Sequence, residues 1–477
     1  MFINIFGSAI LRQYAVVLIA NLNTLIVGVG LGWPSPMLVK LRDGSDSALS
    51  RPITEEEGSW VVAMPFLSGV LANLFTGHLL DTIGRRYCFI LSCVPRIVMV
   101  LLYLYAKELW LLLVARFLSG ILDSVAFTTV SIYASEIASK EVRGSLGGFL
   151  QIYCSFGICL SLGIGPFVSY TTLNIIFLAI TVASSVLLLL LPDSPYFLYS
   201  KGKTDDARKL LLKLRGSDIK ANDEIKEYQI ASSNEVGKVT IPELLRNKLF
   251  LKGAAICVFL GFSSQANGYT AVFQYLQTIL ETTNTSVRPE ISSVIIGGIQ
   301  MFASLCTTLV TDRFGRKFIL ISTVSGMVIG FICLGAFFKV TEEQEQIIGF
   351  MNYLPLASII LIVFCHSSGI ASIMWILISE IFEGRTRAIG ASLAILVATL
   401  TGFGVSKSIP SLTSSIGPTM TYWLFSIICI LVIMFTAIFI PETKGRSFAE
   451  IQAILGNKSD VENSEKDKDN SEMDRSC

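Results

Sequence analysis

The sequence is poor in charge. Asp, Glu, Lys and Arg make up only 15% of its 477 residues, whereas soluble globular chains carry roughly 25%. So little charge cannot cover the water-facing surfaces of the several soluble domains that the length alone would suggest. The 37 basic and 36 acidic residues also balance, which leaves no net positive surface for nucleic acid. The composition therefore predicts a membrane protein that does not bind nucleic acid.

The residues that carry most enzyme chemistry are scarce as well. The two histidines, His78 and His366, lie far apart in the sequence, so neither a Ser-His-Asp triad nor a zinc site is expected. The sequence lacks a Gly-x-x-x-x-Gly-Lys-Ser/Thr phosphate loop, which argues against ATP-driven transport. Of the ten cysteines, nine fall in apolar runs and Cys477 ends the tail, so no disulfide framework is expected. We expect no enzyme, no metal and no cofactor.

Long apolar runs are what the sequence has in abundance. A helix needs about 20 apolar residues to cross roughly 30 Å of hydrocarbon, and its backbone polar groups must be satisfied internally. Charge-poor runs of that length occur twelve times, at about 13–39, 58–80, 87–106, 109–135, 144–170, 172–191, 253–280, 290–311, 318–338, 347–379, 388–409 and 418–440. The predicted fold class is an all-α membrane protein with twelve transmembrane helices.

Lysine and arginine give the orientation, because cytoplasmic loops carry an excess of both. With the N-terminus inside, the inner segments hold 27 of these residues and the outer loops hold 7. Both termini are therefore predicted to be cytoplasmic, in a multi-pass protein of the cell membrane. The same topology places the sequon Asn284-Thr285-Ser286 outside, where Asn284 is a predicted glycosylation site.

One long polar segment divides the chain into two sets of six spans. We predict an N-terminal six-helix bundle at 1–191, a cytoplasmic linker with short helices at 192–250, a C-terminal six-helix bundle at 251–440 and a cytoplasmic tail at 441–477. The tail is rich in Lys, Asp, Glu, Ser and Asn, and we expect disorder from about residue 457.

The inner loops of the two halves repeat in matched order. The matching pairs are Asp81-Thr82-Ile83-Gly84-Arg85-Arg86 with Asp312-Arg313-Phe314-Gly315-Arg316-Lys317, Glu136 and Arg143 with Glu380 and Arg387, and Pro192-Asp193-Ser194 with Pro441-Glu442-Thr443. Parallel repeats of this kind place a substrate site near the bilayer midplane, where the halves meet. Basic loops that merely enforce topology would explain the arginines, but not the paired Asp, Glu and Gly positions.

These loops resemble the signatures of the sugar porters of the major facilitator superfamily. Pro441-Glu442-Thr443-Lys444-Gly445-Arg446 and the Asp312 loop are similar to that family's motifs, and the similarity covers about 14–455. Gly32-Trp33-Pro34-Ser35-Pro36 and Ser59-Trp60 resemble the insect branch of facilitated trehalose transporter-like proteins, and the chain is also similar to facilitative glucose transporters. The resemblance implies the major facilitator fold, with two pseudo-symmetric six-helix bundles that work by alternating access.

The resemblance also implies a gate at the cytoplasmic side. In the family, charged groups at the inner helix ends form an ion-pair network that closes this side and breaks when the carrier opens inward. Matched by motif, the gate residues are Asp81, Arg85, Arg86, Glu136, Arg143, Asp312, Arg313, Arg316, Glu380, Arg387 and Glu442. Glu136 and Arg143 would share one helix face if the loop between them were helical.

A neutral sugar presents hydroxyls and apolar ring faces, and therefore calls for amides, hydroxyls and an aromatic wall. By resemblance, the substrate-binding residues are Gln151, Gln265, Thr270, Tyr275, Gln300 and Trp375. For any one of them, an interhelical hydrogen bond is the open alternative. Gly369-Ile370-Ala371-Ser372-Ile373-Met374-Trp375 lacks the three prolines that the family has in its tenth span. Since prolines bend helices, we expect a stiffer tenth span.

Apart from residues close to the span ends, three charges lie inside the predicted spans: Arg96, Arg116 and Asp123. Intramembrane ionisable groups are functional candidates by default. Arg96 and Asp123 lie at similar depths in the third and fourth spans, so we expect an ion pair between them. A proton-coupling role for Asp123 is the alternative. Proton-coupled sugar porters usually carry their acid in the first span, where 13–39 has none, and downhill transport is therefore the favoured prediction.

The sequence thus predicts a facilitative uniporter that moves a neutral sugar, such as a hexose or trehalose, by alternating access. Its expected partners are the sugar and the lipid bilayer, and we expect a monomer. Two alternatives stay open. One is a sensor that binds sugar without transporting it. The other is a carrier of another neutral or polyol solute, with or without proton coupling, because a fold does not fix a substrate.

Overall fold

The computed structural model describes residues 7–44, 46–234, 246–283, 285–310, 314–343, 349–382 and 384–444, together with 446, 450–451 and 454. The predicted sites at Asn284, Asp312 and Arg313 lie outside the described residues, as do the side chain of Arg387 and most of the predicted tail. Within these ranges the chain is built from helices joined by turns and loops, without a β-strand.

The N-terminal half contains six helical spans. They are Ala9–Gly32 continued as Pro34–Asp43, then Glu55–Ile83, Arg85–Tyr105, Leu109–Ile137, Arg143–Ile164 and Tyr170–Leu188. Local capping fixes where several of them begin. Thr54 and Glu57 form a reciprocal capping box at the start of the second span, and the Ser169 hydroxyl caps the sixth. Gly84, with a φ of 99°, makes the reversal between the second and third spans.

Three short helices follow, Pro195–Ser200, Thr204–Arg215 and Asp218–Asn234. They are fixed to the N-terminal half, because Gln13 Nε2 donates to the Leu214 carbonyl at 2.8 Å and Arg215 donates to the Ile137 carbonyl at 2.8 Å. We call the end of the molecule that carries these helices the linker face. The opposite end, which carries the turns at 44–54, 106–108 and 165–169, is the far face.

The C-terminal half repeats the six-span pattern with more interruptions. The seventh span runs as Lys248–Ala266, Tyr269–Gln274 and Leu276–Thr282, the eighth is Pro289–Val310 and the ninth is Arg316–Glu343. After a 3₁₀ turn at Gly349–Tyr353, the tenth span runs as Leu354–Ser368 and Ile370–Ile381.

The tenth span is broken at Gly369, so the stiffer helix expected from its missing prolines is wrong. Gly369 leaves the helical region with φ −111° and ψ −104°. It also packs directly against the ninth span, since a Cβ at this position would lie 2.0 Å from Thr323 Oγ1. A close approach at a glycine therefore replaces the prolines as the cause of the break.

The last helical run, Gly384–Phe439, is long enough to cross a bilayer twice. Its 56 residues extend over about 84 Å at 1.5 Å per residue, and one crossing needs roughly 30 Å. Gly417 breaks the run with φ 81° and ψ 160°, and Pro418 follows it. Eleven helical runs among the described residues are apolar enough to span a membrane, and the break in the last one makes twelve crossings. The predicted all-α membrane fold is confirmed.

Three pairs of spans bring the two halves together: the second with the eleventh, the fifth with the eighth, and the first with the seventh. The Trp60 and Phe403 rings lie 6.2 Å apart. The hydroxyls of Ser155 and Ser304 are 2.7 Å apart. These contacts occupy the middle of the molecule and the region between the middle and the far face.

Toward the linker face, glycines of the same spans are exposed. A Cβ added to Gly77 in the second span, or to Gly144 or Gly147 in the fifth, would meet no atom within 4 Å. By contrast, a Cβ at Gly402 would lie 2.7 Å from the Phe66 ring of the other half. Over the described part of the chain, the contacts between the halves named here therefore lie in the middle of the molecule and toward the far face.

Candidate functional site

A buried amide lies where the eighth span meets the seventh and tenth. Gln300 is only 4% exposed. Its Oε1 accepts hydrogen bonds from the Tyr269 hydroxyl at 3.1 Å and from Ser367 Oγ at 2.7 Å. Because these two bonds occupy the oxygen and fix the amide plane, the Nε2 group is what Gln300 offers to a ligand, as a donor.

Gln265 and Thr270 lie at the boundary between the halves. The Thr270 hydroxyl donates to Gln265 Oε1 at 2.5 Å. A Cβ at Gly402 of the eleventh span would lie 3.4 Å from the same oxygen and 2.7 Å from the Phe66 ring of the second span. The missing side chain at Gly402 therefore lets the seventh, eleventh and second spans come together around the Gln265 amide.

Gln151 reaches the same boundary from the N-terminal half. Its Nε2 donates to Ser155 Oγ at 3.5 Å, and Ser155 bonds Ser304 across the contact between the halves. Ser304 donates in turn to the backbone carbonyl of Gln300 at 2.9 Å. A chain of hydroxyls therefore runs from the Gln151 amide in one half to the backbone carbonyl of Gln300 in the other.

Two predicted substrate residues do not join this group. Trp375 lies in the second part of the tenth span, 48% exposed, and has no hydrogen bond to the three glutamines in the described part of the chain. Tyr275 is buried at the second break of the seventh span, where its hydroxyl donates to the Ser406 carbonyl at 3.1 Å. It lines a separate cavity of about 360 Å³ that has Arg42 and Glu55 in its wall, close to the far face.

An aromatic pair that the sequence analysis did not assign lies beside Gln300. The Tyr269 and His366 rings stack with their centroids 3.6 Å apart and their planes at 3°. The stack fixes the position of the Tyr269 ring, whose hydroxyl donates to Gln300. His366 Nδ1 is buried without a hydrogen-bond partner among the described residues. The sequence offered one signal, namely that His366 directly precedes Ser367.

The repeated loop motifs form two matching clusters at the linker face. In the N-terminal half, Arg85 donates to Glu136 at 2.8 Å. In the C-terminal half, Arg316 lies 3.0 Å from Glu380. Each cluster is completed by neighbouring polar groups, which are Asp81 and Ser194 in the first and Thr443 in the second. The internal repeat that was visible in the loops is therefore also a repeat of contacts.

Asp193 and Glu442 occupy corresponding places in these clusters but meet different surroundings. Asp193 bonds the backbone N–H of Arg86, and burial raises the pKa of its carboxyl above the ordinary value. Glu442 accepts the backbone N–H groups of Arg316 at 2.9 Å and Lys317 at 3.2 Å, at the start of the ninth span. Burial also acts to raise the pKa of Glu442, but its backbone hydrogen bonds outweigh that effect and lower it.

Each ion pair of these clusters lies inside a single half. In the portion of the chain that the structure describes, the ion pairs of these two clusters do not join the two halves. Asp312, Arg313 and the side chain of Arg387, which belong to the predicted network, lie outside the described residues. Arg143 is exposed. Glu136 and Arg143 do not share a helix face. The loop between them is not helical, because the fourth span ends at Ile137 and the fifth begins at Arg143.

The intramembrane charges are held by protein groups. Arg96 donates to Asp123 at 2.9 Å, and Arg96 is only 2% exposed. Arg116 donates to the Val61 carbonyl at 2.7 Å and lies 5.5 Å from the centre of the Trp33 ring. The expected pairing of the third and fourth spans is therefore present in the structure.

Comparison with known sequences identifies the family. The model of the family described as sugar (and other) transporter matches residues 21–455. The chain belongs to this family. Facilitated trehalose transporter Tret1 of Polypedilum vanderplanki is 29% identical over 93% of this chain and 88% of its own length. Tret1 of Culex quinquefasciatus is 30% identical over 92% of this chain and 85% of its own length.

Solved structures with the same architecture agree with this assignment. The inward open conformation of the xylose transporter XylE from E. coli has a TM-score of 0.77 at 20% identity. The proton:xylose symporter XylE bound to 6-bromo-6-deoxy-D-glucose has a TM-score of 0.72 at 21% identity, and both matches cover 93% of this chain and 99% of the other. The major facilitator fold is confirmed, and the chain is a multi-pass membrane protein from a family of transporters rather than enzymes.

Proposed function

We propose that this chain is a facilitative carrier that moves a neutral sugar, such as a hexose or trehalose, down its gradient by alternating access. The observation that carries the proposal is the group of amides and hydroxyls that both halves contribute around Gln151, Gln265 and Gln300. The names of the insect relatives, facilitated trehalose transporters, support a sugar as the substrate.

The sugar would bind where the halves meet. Gln300 Nε2 donates to a sugar oxygen, while Gln265, Thr270 and Gln151 add neutral groups that both donate and accept. The buried Tyr269–His366 stack fixes the Tyr269 hydroxyl that orients Gln300. Each neutral hydrogen bond contributes only about 0.5–1.5 kcal/mol, which suits a carrier that must release what it binds.

Alternation would exchange closure at the far face for closure at the linker face. The excess of Lys and Arg on the side of the linker supports a cytoplasmic linker face, with both termini cytoplasmic, in the cell membrane. In the opposite state the predicted gate residues close the linker side. Arg143, exposed in the present arrangement, then has a partner across the halves, and we propose the same closing role for Asp312, Arg313 and Arg387.

The site can be tested through the residue that orients Gln300. Ser367→Ala removes one of the two donors to Gln300 Oε1, so the half-saturation concentration for sugar uptake should rise about threefold to tenfold. Ser325→Ala is the matched control, because its hydroxyl bonds only the carbonyl of Ile321 in its own helix. Equal half-saturation concentrations for the two variants in proteoliposomes would contradict this site.

A sugar sensor is the second candidate. It is supported by the position of Trp375, which stays outside the polar group. A sensor binds sugar without exchanging it across the bilayer, so binding and exchange must be measured on the same preparation. A panel of hexoses, disaccharides and polyols tests the identity of the solute.

A further inference from the structure

Lys407 makes the one ion pair between the two halves in the described part of the chain. Its partner is Glu56 of the second span, whereas the other described pairs lie within one half, within the linker helices, or between a half and its linker helices. Lys407 lies close to the end of the predicted span 388–409 and is one of the seven basic residues assigned to the outer loops. The structure places it inside the helical run Gly384–Phe439, well before the break at Gly417.

One ammonium group meets three partners on the second span. Lys407 Nζ donates to Ser59 Oγ at 2.8 Å, lies 3.7 Å from Glu56 Oε1 and lies 4.7 Å from the centre of the Trp60 ring. The Lys407 side chain is only 25% exposed. A partly desolvated cation over the face of a tryptophan changes an equilibrium by roughly twofold to thirtyfold.

We propose that Lys407 is the latch that holds the far side of the carrier closed. The proposal rests on the alternating-access function above. Opening of the far face must move the eleventh span away from the second, and all three partners of Lys407 are on the second. The hydrogen bond, the ion pair and the cation–π contact are therefore lost in the same movement, which makes the contact a two-state element of the kind that sets a conformational equilibrium.

The symmetry-related contact carries no such latch. The two halves can be aligned on their repeated loop residues, Glu136 with Glu380 and Asp81 with Asp312. In this alignment Gly163 of the fifth span corresponds to Lys407, and Glu290 of the eighth span corresponds to Ser59. A Cβ added to Gly163 would meet no atom within 4 Å. The charged tie between the halves is therefore present at only one of the two equivalent contacts.

The latch lies close to the candidate sugar site on the same helix. Gly402 and Phe403 precede Lys407 by about one helical turn. A Cβ at Gly402 would lie 3.4 Å from Gln265 Oε1, and the Phe403 ring lies 6.2 Å from that of Trp60. A sugar that moves Gln265 acts on the segment that carries the latch, which gives substrate binding a direct route to far-face opening.

The test is a cysteine reporter at the far-face contact between the halves. Ser35 is 1% exposed and its hydroxyl accepts the backbone N–H of Gln277 in the other half, so Ser35→Cys reacts with a membrane-impermeant maleimide only when the far side opens. Adding Lys407→Met should raise the labelling rate twofold to thirtyfold above that of Ser35→Cys alone. Lys407→Arg should keep the rate low, because it retains the charge.

The control is Lys339→Met, since Lys339 pairs with Glu342 in its own helix. A folded Lys407→Met protein that labels no faster than this control would overturn the proposal. If Lys407→Met does not fold, the double variant Glu56→Gln/Ser59→Ala removes two of the three partners instead and is judged by the same rates. Labelling requires no sugar, so absence of sugar transport would contradict the proposed function without obscuring this result.

Discussion

At the scale of single residues, two carboxylates in equivalent places respond to pH in opposite directions. The pKa of Glu442 is lowered below its ordinary 4.5, so its contribution to stability is present above pH 4.5 and is lost as the pH falls through the folded-state pKa. The pKa of Asp193 is raised above its ordinary 3.8 by burial. Ionised Asp193 therefore opposes folding as the pH rises through its folded-state pKa.

The two carboxylates should therefore respond differently to neutralisation. Glu442→Gln removes a negative charge from the N-terminus of the ninth span and should cost roughly 0.3–1 kcal/mol at pH 7. Asp193→Asn should leave stability unchanged or raise it. Thermal unfolding in detergent at pH 7 and pH 4 measures both, and the gap between the variants should narrow at pH 4. A larger loss for Asp193→Asn at pH 7 would contradict the assignment.

The Arg96–Asp123 pair predicts a structural rather than a proton-coupling role. Asp123→Asn leaves a guanidinium with 2% exposure without its counter-charge, which should destabilise the fold by about 3–5 kcal/mol. Replacing both residues, as Arg96→Leu/Asp123→Leu, should recover most of that loss. Thermal unfolding of the single and double variants gives the coupling energy. Two results together would show proton coupling instead. The Asp123→Asn variant would be stable, and the unmodified protein would lose sugar uptake when a protonophore is added.

At the scale of helices, glycine sets how closely the first and fifth spans approach. A Cβ at Gly28 would lie 2.1 Å from the Cys154 carbonyl oxygen, and one at Gly157 would lie 2.2 Å from that of Leu25. The seventh and eleventh spans, which correspond to them in the second half, meet in the same way at Gly261. Small residues allow membrane helices to pack backbone to backbone, so these positions define the core of each half.

Gly157→Ala should separate the first and fifth spans, because the new methyl group meets backbone that cannot rotate away. We expect a loss of about 1–3 kcal/mol. Gly163→Ala is the control in the same helix, where a Cβ would meet nothing within 4 Å, and it should be neutral or mildly stabilising. Thermal unfolding in detergent compares the two. Equal melting temperatures would contradict the close packing.

At this scale, the sequence could predict the features that depend on residues close together in the chain, but not those that depend on packing between helices. Length, hydropathy and loop charge depend on nearby residues, so the span count and the repeat at Arg85 and Arg316 were accessible. The helix breaks at Gly369 and Tyr275 depend on which residues pack against them. The identity of the residue at the break does not specify those neighbours. Lys407 was assigned to a loop because it lies near the end of an apolar run, where a charged residue is expected to be exposed. Its contact with the second span could not be predicted from the sequence.

The candidate site was predictable in part for the same reason. Gln265 and Gln300 could be found because their distances from the loop motifs match positions in the family that the sequence resembles. The hydrogen-bond partners of Gln300, Tyr269 and Ser367, could not be assigned, since both are common interior residues without a distinguishing pattern. The separation of Trp375 from the amides follows from the break at Gly369 just before it, which no sequence pattern announced.

At the scale of the whole molecule, the two halves act as separate bodies that meet along three pairs of spans. The described ion pairs of the linker face stay within each half, whereas the ion pair of Lys407 crosses between the halves at the far-face side. A molecule with firm halves and few ties between them can rock about a central site. This arrangement is the physical basis for proposing a carrier that alternates.

Counterflow of labelled sugar is the measurement that tests this proposal most directly. Proteoliposomes are loaded with unlabelled glucose or trehalose, diluted into a trace of the labelled sugar and treated with a protonophore. The account predicts transient accumulation of label above its equilibrium level, because a carrier that alternates exchanges one bound sugar for another without a proton gradient. Binding of the labelled sugar to the purified protein without any such accumulation would contradict it.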